Sequence, residues 1–285
     1  MDAPLKAAAV GLRHGRIYVI GSDGLPEAPS WGTPDVAYDG SAIDGIATFT
    51  ATIPDAQIIP HVGEDRVLQV DALASQEPIT VEMMSALTDL ALDALIQNVK
   101  VQALNELQIM PRATDQQGLE PDLAILAYRQ STSMDAATKG ARMWQGNILG
   151  RAVIFPKLPA GEQGGKNERT FTVQPKVVSQ QVWGIALTLA ENGCLETQIY
   201  DIQSYQRPHL AIWKGDGIVT AFDFTTGLIP ITPTVTVSVF HYDVGTGITT
   251  DVTSTATVTS ADITPVALPA DGDKIMAMYQ LLDVQ

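Results

Sequence analysis

The chain has 285 residues, of which 45% are hydrophobic and 17% charged, and 32 acids stand against 17 bases for a formal net charge of −15. That supplies apolar material for one large domain or two ordinary ones and excludes wholesale disorder. The acidity excludes the basic footprint of a nucleic-acid binder, and the absence of any apolar run of eighteen residues excludes a transmembrane helix.

The N-terminal stretch Met1–Val10 lacks the long apolar centre of a secretory signal. Arg16–Ile20 (RIYVI) is the first predicted strand. Gly21–Gly45 is rich in Gly, Pro, Asp and Ser and is too long for an ordinary connection; such loops are functional or disordered. Thr48–Ile53 (TFTATI) alternates, with Phe49, Ala51 and Ile53 on one face and Thr48, Thr50 and Thr52 on the other, which predicts a half-buried strand. Arg66–Val70 (RVLQV) is another. One helix follows. Thr80 can cap it, Glu82 suits its first turn, and Met83, Leu87, Leu90, Ala91, Ala94 and Leu95 form an apolar stripe ending near Asn98. That stripe reads as core packing.

Further strands are predicted at Val99–Leu104, Leu123–Arg129, Arg151–Phe155, Arg169–Gln174, Val182–Leu189 and Leu195–Tyr200, with Pro156–Glu168 a turn-rich connection. From Gly215 the composition shifts. No Lys or Arg lies between Lys214 and Lys274, while seven Asp do, and fourteen Thr lie from Thr220 to Thr264. Strand patterns continue at Gly217–Phe224, Thr234–Tyr242, Asp251–Thr259 and Lys274–Val284. The expected fold is therefore mainly β (α+β), with one flanking helix. The expected division is a main β domain over residues 1–213 and a small appended β-sandwich, Ig-like or otherwise, over 214–285.

The search for chemistry returns little. Cys194 is the only cysteine, so neither an intrachain disulfide nor a cysteine-rich metal site can form. His14, His61, His209 and His241 stand at no metal-ligand spacing. There is no phosphate-binding glycine loop and no nucleophile elbow. The polar run His61–Arg66 reads as a turn before RVLQV, and Asp271–Gly272–Asp273 as a tight turn lacking the rest of a calcium loop. No catalytic residue, cofactor or metal is expected, and the chain reads as a structural protein.

The order of features resembles the tail tube (major tail) proteins of long-tailed bacteriophages. The likeness is carried by GRIYVI before a long Gly/Pro loop, by ATFTATIPDAQIIPHVGEDRVLQVDAL, and by EPITVEMMSALTDLALDALIQN, an acidic strand passing into an amphipathic helix. LAILAYRQSTS, Gly140–Trp144, RAVIFPKL and ERTFTVQPKVVSQQVWGIALTL follow in that order, so that Gly11–Thr188 is covered. The resemblance implies a β-sandwich with one helix, whose subunits form hexameric rings stacked into a tube for viral DNA. The partners it implies are copies of the same chain and other tail proteins; DNA passes without specific binding, and no membrane is involved. It implies a place in the virion tail after synthesis in the host cytoplasm. On it, the loop carrying Trp31, Pro34, Asp35 and Tyr38 makes ring-to-ring contact or is a plain surface loop. Thr48, Thr50 and Thr52 line the inner barrel or sit on a packed edge strand. The helix bearing Met83, Leu87, Leu90 and Leu95 packs outside the barrel. The alternative is a capsid decoration or cement protein, or another non-enzymatic virion protein.

Overall fold

The computed structural model describes residues 7–28, 35–43, 46–52, 57–63, 66–73, 80–85, 90–99, 101–104, 107–109, 121–133, 142–156, 169–176, 181–182, 185–186, 197–201, 206–230 and 237–282. In chain order the elements are β1 (Ala7–Val19), β2 (Ser41–Ile43), β3 (Ile46–Thr52), β4 (Gln57–Gly63), β5 (Arg66–Leu73), β6 (Thr80–Ser85), α1 (Leu90–Ile96), β7 (Gln102–Leu104), β8 (Leu107–Ile109), β9 (Leu123–Ser133), β10 (Arg142–Pro156) and β11 (Arg169–Pro175). Then come β12 (Gln181–Val182), β13 (Ile185–Ala186), β14 (Thr197–Asp201), β15 (Gln206–Lys214), β16 (Phe222–Asp223), β17 (Ser238–Asp243), β18 (Ile248–Asp251), β19 (Thr257–Val258), β20 (Asp262–Thr264) and β21 (Lys274–Leu282). The chain is mainly β, as the alternating patterns predict.

Three antiparallel sheets carry the structure. The largest runs β2-β1-β9-β10-β11-β6-β3, with β14 also paired to β10, and β3 at its far edge approaches β1, so the sheet curls. A second runs β15-β21-β17-β18 and a third β16-β20-β19. The pairs β4-β5, β7-β8 and β12-β13 are separate ribbons.

The layering follows from strands that are apolar at every position rather than at every second one. Such runs need cover on both faces. Leu123–Tyr128 (LAILAY) is buried throughout. Its Leu123 and Ile125 join Ile17, Leu149, Ile154, Phe171 and Val173 in a first core, which Leu92 and Ile96 of α1 cover. Its Ala124, Leu126 and Tyr128 join Tyr18, Leu210, Ile212, Phe240 and Met276 in a second core, between the largest sheet and the second sheet. The alternate residues of the second sheet, Ala211, Trp213, Val239, Ile275 and Ala277, pack with Phe222, Phe224 and Ile263 in a third core. The order of layers is therefore helix, large sheet, middle sheet, small sheet.

Three expectations change. Residues 80–85 form a strand and not the first turn of a helix: Thr80, Glu82 and Met83 lie in β6, and Met83 is registered opposite Phe171 on one side and Phe49 on the other. The β-branched pair Thr80-Val81 suits the strand, and ladders on both sides outweigh the weak helical preference of this stretch. The helix keeps only Leu90–Ile96. Leu90 opens it, Leu95 packs half-buried on the first core, and Leu87 lies outside the described residues. It ends at Asn98, at φ 51°, with Val99 N donating to Ala94 O at 2.9 Å and Asn98 N to Leu95 O at 3.2 Å, the Schellman arrangement.

The second concerns the boundary, expected anywhere near Arg207–Gly215 and set after residue 213: β15 covers that range up to Lys214 and pairs along its whole length with β21, so by pairing it goes with the C-terminal strands. The composition shifts at Gly215, but the strand before it belongs by pairing to the last strand of the chain. The third change concerns the Thr-rich stretches, where Gly217–Phe224 keeps only the short β16 and Asp251–Thr259 is broken by a turn. Thr hydroxyls make such turns. Thr255 Oγ1 donates to Val252 O at 3.0 Å, and Thr259 Oγ1 accepts from Ala261 N and Asp262 N, both at 3.0 Å.

Gly40 is a point of close backbone approach. Its φ is +69°, and a Cβ there would stand 2.7 Å from Ile17 O and 2.8 Å from the Tyr18 ring. Both the left-handed backbone and the close approach require glycine. Gly40→Ala is expected to lower stability by about 2–4 kcal/mol in chemical denaturation; a loss under about 0.5 kcal/mol would contradict this packing.

Candidate functional site

The described part of the predicted loop Gly21–Gly45 is not a projecting arm. Residues 21–25 form a turn, with Gly21 N donating to Leu25 O at 2.8 Å. Residues 35–43 are a strap laid across all three sheets. Asp223 N donates to Asp35 O beside the bridge Val36↔Asp223, which ties the strap to the small sheet. Tyr38 N donates to Ile212 O at 2.7 Å and Ile212 N to Tyr38 O at 3.1 Å, which ties it to the middle sheet. Ser41–Ile43 pair with Gly15–Ile17 of the large sheet.

Asp39 sits where these ties cross. Its Oδ1 lies 2.6 Å from His209 Nε2, its Oδ2 accepts from the Thr225 hydroxyl, and its carbonyl accepts from Arg16 Nη1 at 2.7 Å. His209 is 1% exposed and Asp39 9%, so these groups have exchanged water for one another, and removing one leaves its partner unsatisfied. Two tyrosines frame the joint. Tyr18 Oη donates to Leu210 O at 3.0 Å and Tyr279 Oη to Leu228 O at 2.6 Å, and the Tyr279 ring stands edge-on to His209. Burial above all pushes both phenols well up from their ordinary value, so they stay protonated donors. The trio Asp39, His209 and Thr225 contains the residue types of a nucleophile relay but lacks its order. The hydroxyl is bound to the carboxylate, the position an orienting acid would take toward histidine alone. The arrangement positions the strap.

A second polar tie lies at the other end of the joint. Lys274, 4% exposed, places Nζ 2.7 Å from Asp23 Oδ2 and 3.7 Å from Glu27 Oε2, joining β21 to the turn after β1. Beside it Asp273 Oδ2 meets His241 Nε2 at 2.8 Å and accepts from Ala270 N at 2.9 Å, while Oδ1 accepts from Val244 N at 3.0 Å. Burial by itself raises the Asp273 carboxyl, but the Val244 amide, the His241 ring and the Ala270 amide outweigh it and hold it below its ordinary range. Asp271–Gly272–Asp273 is thus a turn, with Gly272 at φ 91°. On the large sheet Asp122 binds Arg151 and Lys176, fastening β10 and the end of β11 to the start of β9.

The remaining predicted residues are dispersed. Thr48, Thr50 and Thr52 lie on β3, the edge strand of the large sheet, opposite Met84, Glu82 and Thr80. Asp35 and Tyr38 belong to the strap, and Tyr38 is engaged within its own chain: its hydroxyl accepts from Val19 N at 3.1 Å and its ring meets Tyr18 edge-on. Trp31, Pro34 and Cys194 lie outside the described residues. The run His61–Arg66 is not wholly a turn: His61–Gly63 end β4 and Arg66 opens β5.

Between β3 and β6 the chain order places the β4-β5 pair. Thr52 pairs with Thr80 at the end of β3-β6, Gln57 pairs with Leu73 at the start of β4-β5, and Gly63 pairs with Arg66 at the tip. Only residues 53–56 and 74–79 intervene. Among the described residues β4 and β5 pair with no strand but each other.

Sequence reasoning missed the joint because Asp39 and His209 are 170 positions apart. The one local signal is a polar residue inside an apolar strand, His209 in PHLAIW. Among the described residues no three His, Cys, Asp or Glu gather as metal ligands, and no helix is long and apolar enough to cross a membrane. No protein-family model, curated protein or solved structure matches the chain.

The lowered Asp273 carboxyl carries a sign. Its folded value lies below the unfolded one near 3.8, so its stabilisation is complete above that value and is lost as pH falls through the folded value. Asp273→Asn is expected to lower stability at pH 7 by about 1–3 kcal/mol. It should also flatten the loss of stability between about pH 5 and 2 in urea denaturation. Equal pH slopes for the variant and the wild type would contradict the assignment.

Proposed function

We propose that this chain is a self-assembling structural subunit of a phage tail tube, built to form stacked rings, with hexamers the expected symmetry, around a channel for DNA. The observation that carries the reading is the β4-β5 ribbon. A two-stranded ribbon alone is marginal in water, so one that among the described residues pairs with no other strand calls for cover from outside. A neighbouring subunit supplies that cover in a tube. The ribbon, rather than the strap, is the element we assign to contact between copies.

Three further features agree with the reading. The large sheet is antiparallel, curls so that β3 nears β1, and carries one helix on the first core. Its edge strand β3 bears Thr48, Thr50 and Thr52, hydroxyl residues suited to a wetted channel wall. The net charge of −15 keeps a passing polyanion from adhering. The polar joint described above is spent on holding sheets together, which suits a scaffold.

Electron microscopy of the purified full chain tests the proposal: tubes or six-fold rings are expected, and a monomer or trimer under all conditions would overturn it. Replacing residues 53–79 with a short Gly/Asn turn from Thr52 to Thr80 is expected to leave a folded subunit that no longer forms tubes. Long tubes from that variant would show that the ribbon is dispensable.

A further inference from the structure

β21 sends alternate side chains to opposite cores: Met276 and Met278 to the second, Ile275 and Ala277 to the third. By that alternation Lys274 stands on the second-core face, at its end. It is 4% exposed and lies in register between Lys214 of β15 and Tyr242 of β17. A lysine is almost never buried so far unless paired, and both its partners come from one turn. Asp23 and Glu27 flank Leu25, whose side chain packs in the second core. Leu25 N donates to Asp23 Oδ1 at 3.0 Å and Glu27 N to Val19 O at 2.8 Å, which fixes the turn that carries both carboxylates. A Cβ on Gly21 would collide with Glu27 Oε2 and stand 3.1 Å from Asp23 Oδ1, so glycine leaves the room in which the two converge.

The geometry of the contact differs from that of a plain ion pair. Lys274 Nζ is 2.7 Å from Asp23 Oδ2, yet among the described residues it makes no hydrogen bond of acceptable direction. An ammonium held for the strength of its pairing turns its protons onto its acceptors. Here the nitrogen is set against the carboxyl group out of line, and Glu27 Oε2 stands 3.7 Å from it. An amine, a carboxyl group to receive it and a second carboxylate to move protons are the parts of a condensation.

We propose that Lys274 and Asp23 join in an intramolecular amide, Nζ to Cγ, with Glu27 as the proton carrier. The ammonium gives one proton to the Asp23 carboxylate, and the freed lone pair adds to Cγ. Glu27 takes a second proton from the nitrogen and passes it to the departing oxygen. The Cγ–O bond breaks, one water leaves, the amide keeps the third proton, and Glu27 ends as it began. No outside reactant is consumed. Loss of water is unfavourable between separate molecules in solution, but groups held in contact react with effective molarities of about 10⁵–10⁸ M. The product ties β21 to the turn after β1 by a covalent bond, with most of the chain between the joined residues. The proposal does not rest on the tube reading, since it concerns groups within one chain.

Intact mass spectrometry of the purified full chain, with its termini assigned, tests it. The wild type should be lighter than its sequence by one water, and after digestion residues 23 and 274 should lie in one branched peptide. A wild type at full mass overturns the proposal. So does a lost water confined to the peptide with Asp23 and Gly24, since a cyclic imide at that pair has the same mass. Lys274→Arg keeps a cation beside both carboxylates without an amine to condense, and should stay at full mass. Glu27→Gln should close the amide at least about tenfold more slowly after synthesis. A water lost from Lys274→Arg would overturn the proposal, and closure at the wild-type rate in Glu27→Gln would overturn the part given to Glu27. If either variant fails to fold, the wild-type mass and the branched peptide still decide.

Discussion

A sheet that is apolar on both faces has to be covered twice, and the middle sheet imposes this constraint on the whole chain. Leu210, Ile212 and Met276 face the large sheet, while Ala211, Trp213, Ile275 and Ala277 face the small one. The large sheet meets the same demand along LAILAY, with the middle sheet on one side and α1 on the other. Each layer is thus the cover of its neighbour. At roughly 25 cal/mol per Å² of buried apolar surface, separating any two layers exposes two apolar faces at once, which is why the small sheet, with strands only two or three residues long, holds its shape at all.

The polar ties decide how the layers meet rather than whether they meet. Apolar faces slide; a buried carboxylate bound to His209, Thr225 and, through its own backbone, Arg16 does not. Desolvating Asp39 and His209 is costly and returns little net stability compared with a well-packed apolar pair. Its return is register. The strap ties to three sheets through two bridges and a short ladder, and Asp39 with Gly40 sets where each falls. The Lys274 pair with Asp23 performs the same service at the other end of the joint.

Much of this was legible in the sequence at the level of single elements. TFTATI, RVLQV and the repeated apolar runs announced strands, and the Asn98 end of the helix lay where the stripe stops. What could not be read was any choice settled by a distant partner. Residues 80–85 carry a helical spacing at Met83 and a strand spacing at Val81 and Met83, and the ladders with β3 and β11 decide between them. The boundary near Gly215 follows a real change in composition, yet β15 before it is claimed by β21, sixty residues on. Asp35 and Tyr38 looked like loop residues because Gly and Pro surround them; their engagement depends on β15 and β16, which no local pattern reveals. The β4-β5 ribbon is half legible: RVLQV has the pattern of a strand, while in its partner QIIPHVG that pattern is obscured by Pro60, a residue at home in an edge strand.

Closing some edges and leaving others is what a subunit that assembles in one defined way requires. The strap caps β15 at Ile212, while among the described residues the β4-β5 ribbon has only its own hairpin partner. Mutual cover of the layers makes them one cooperative unit, and native-state hydrogen exchange compares the sheets directly. Amides of β9 in the large sheet and β21 in the middle sheet should share one opening free energy and one denaturant dependence. If β21 and the small sheet open together at a distinctly lower free energy while β9 stays protected, the C-terminal strands form a separate unit and mutual burial is not what holds the chain together.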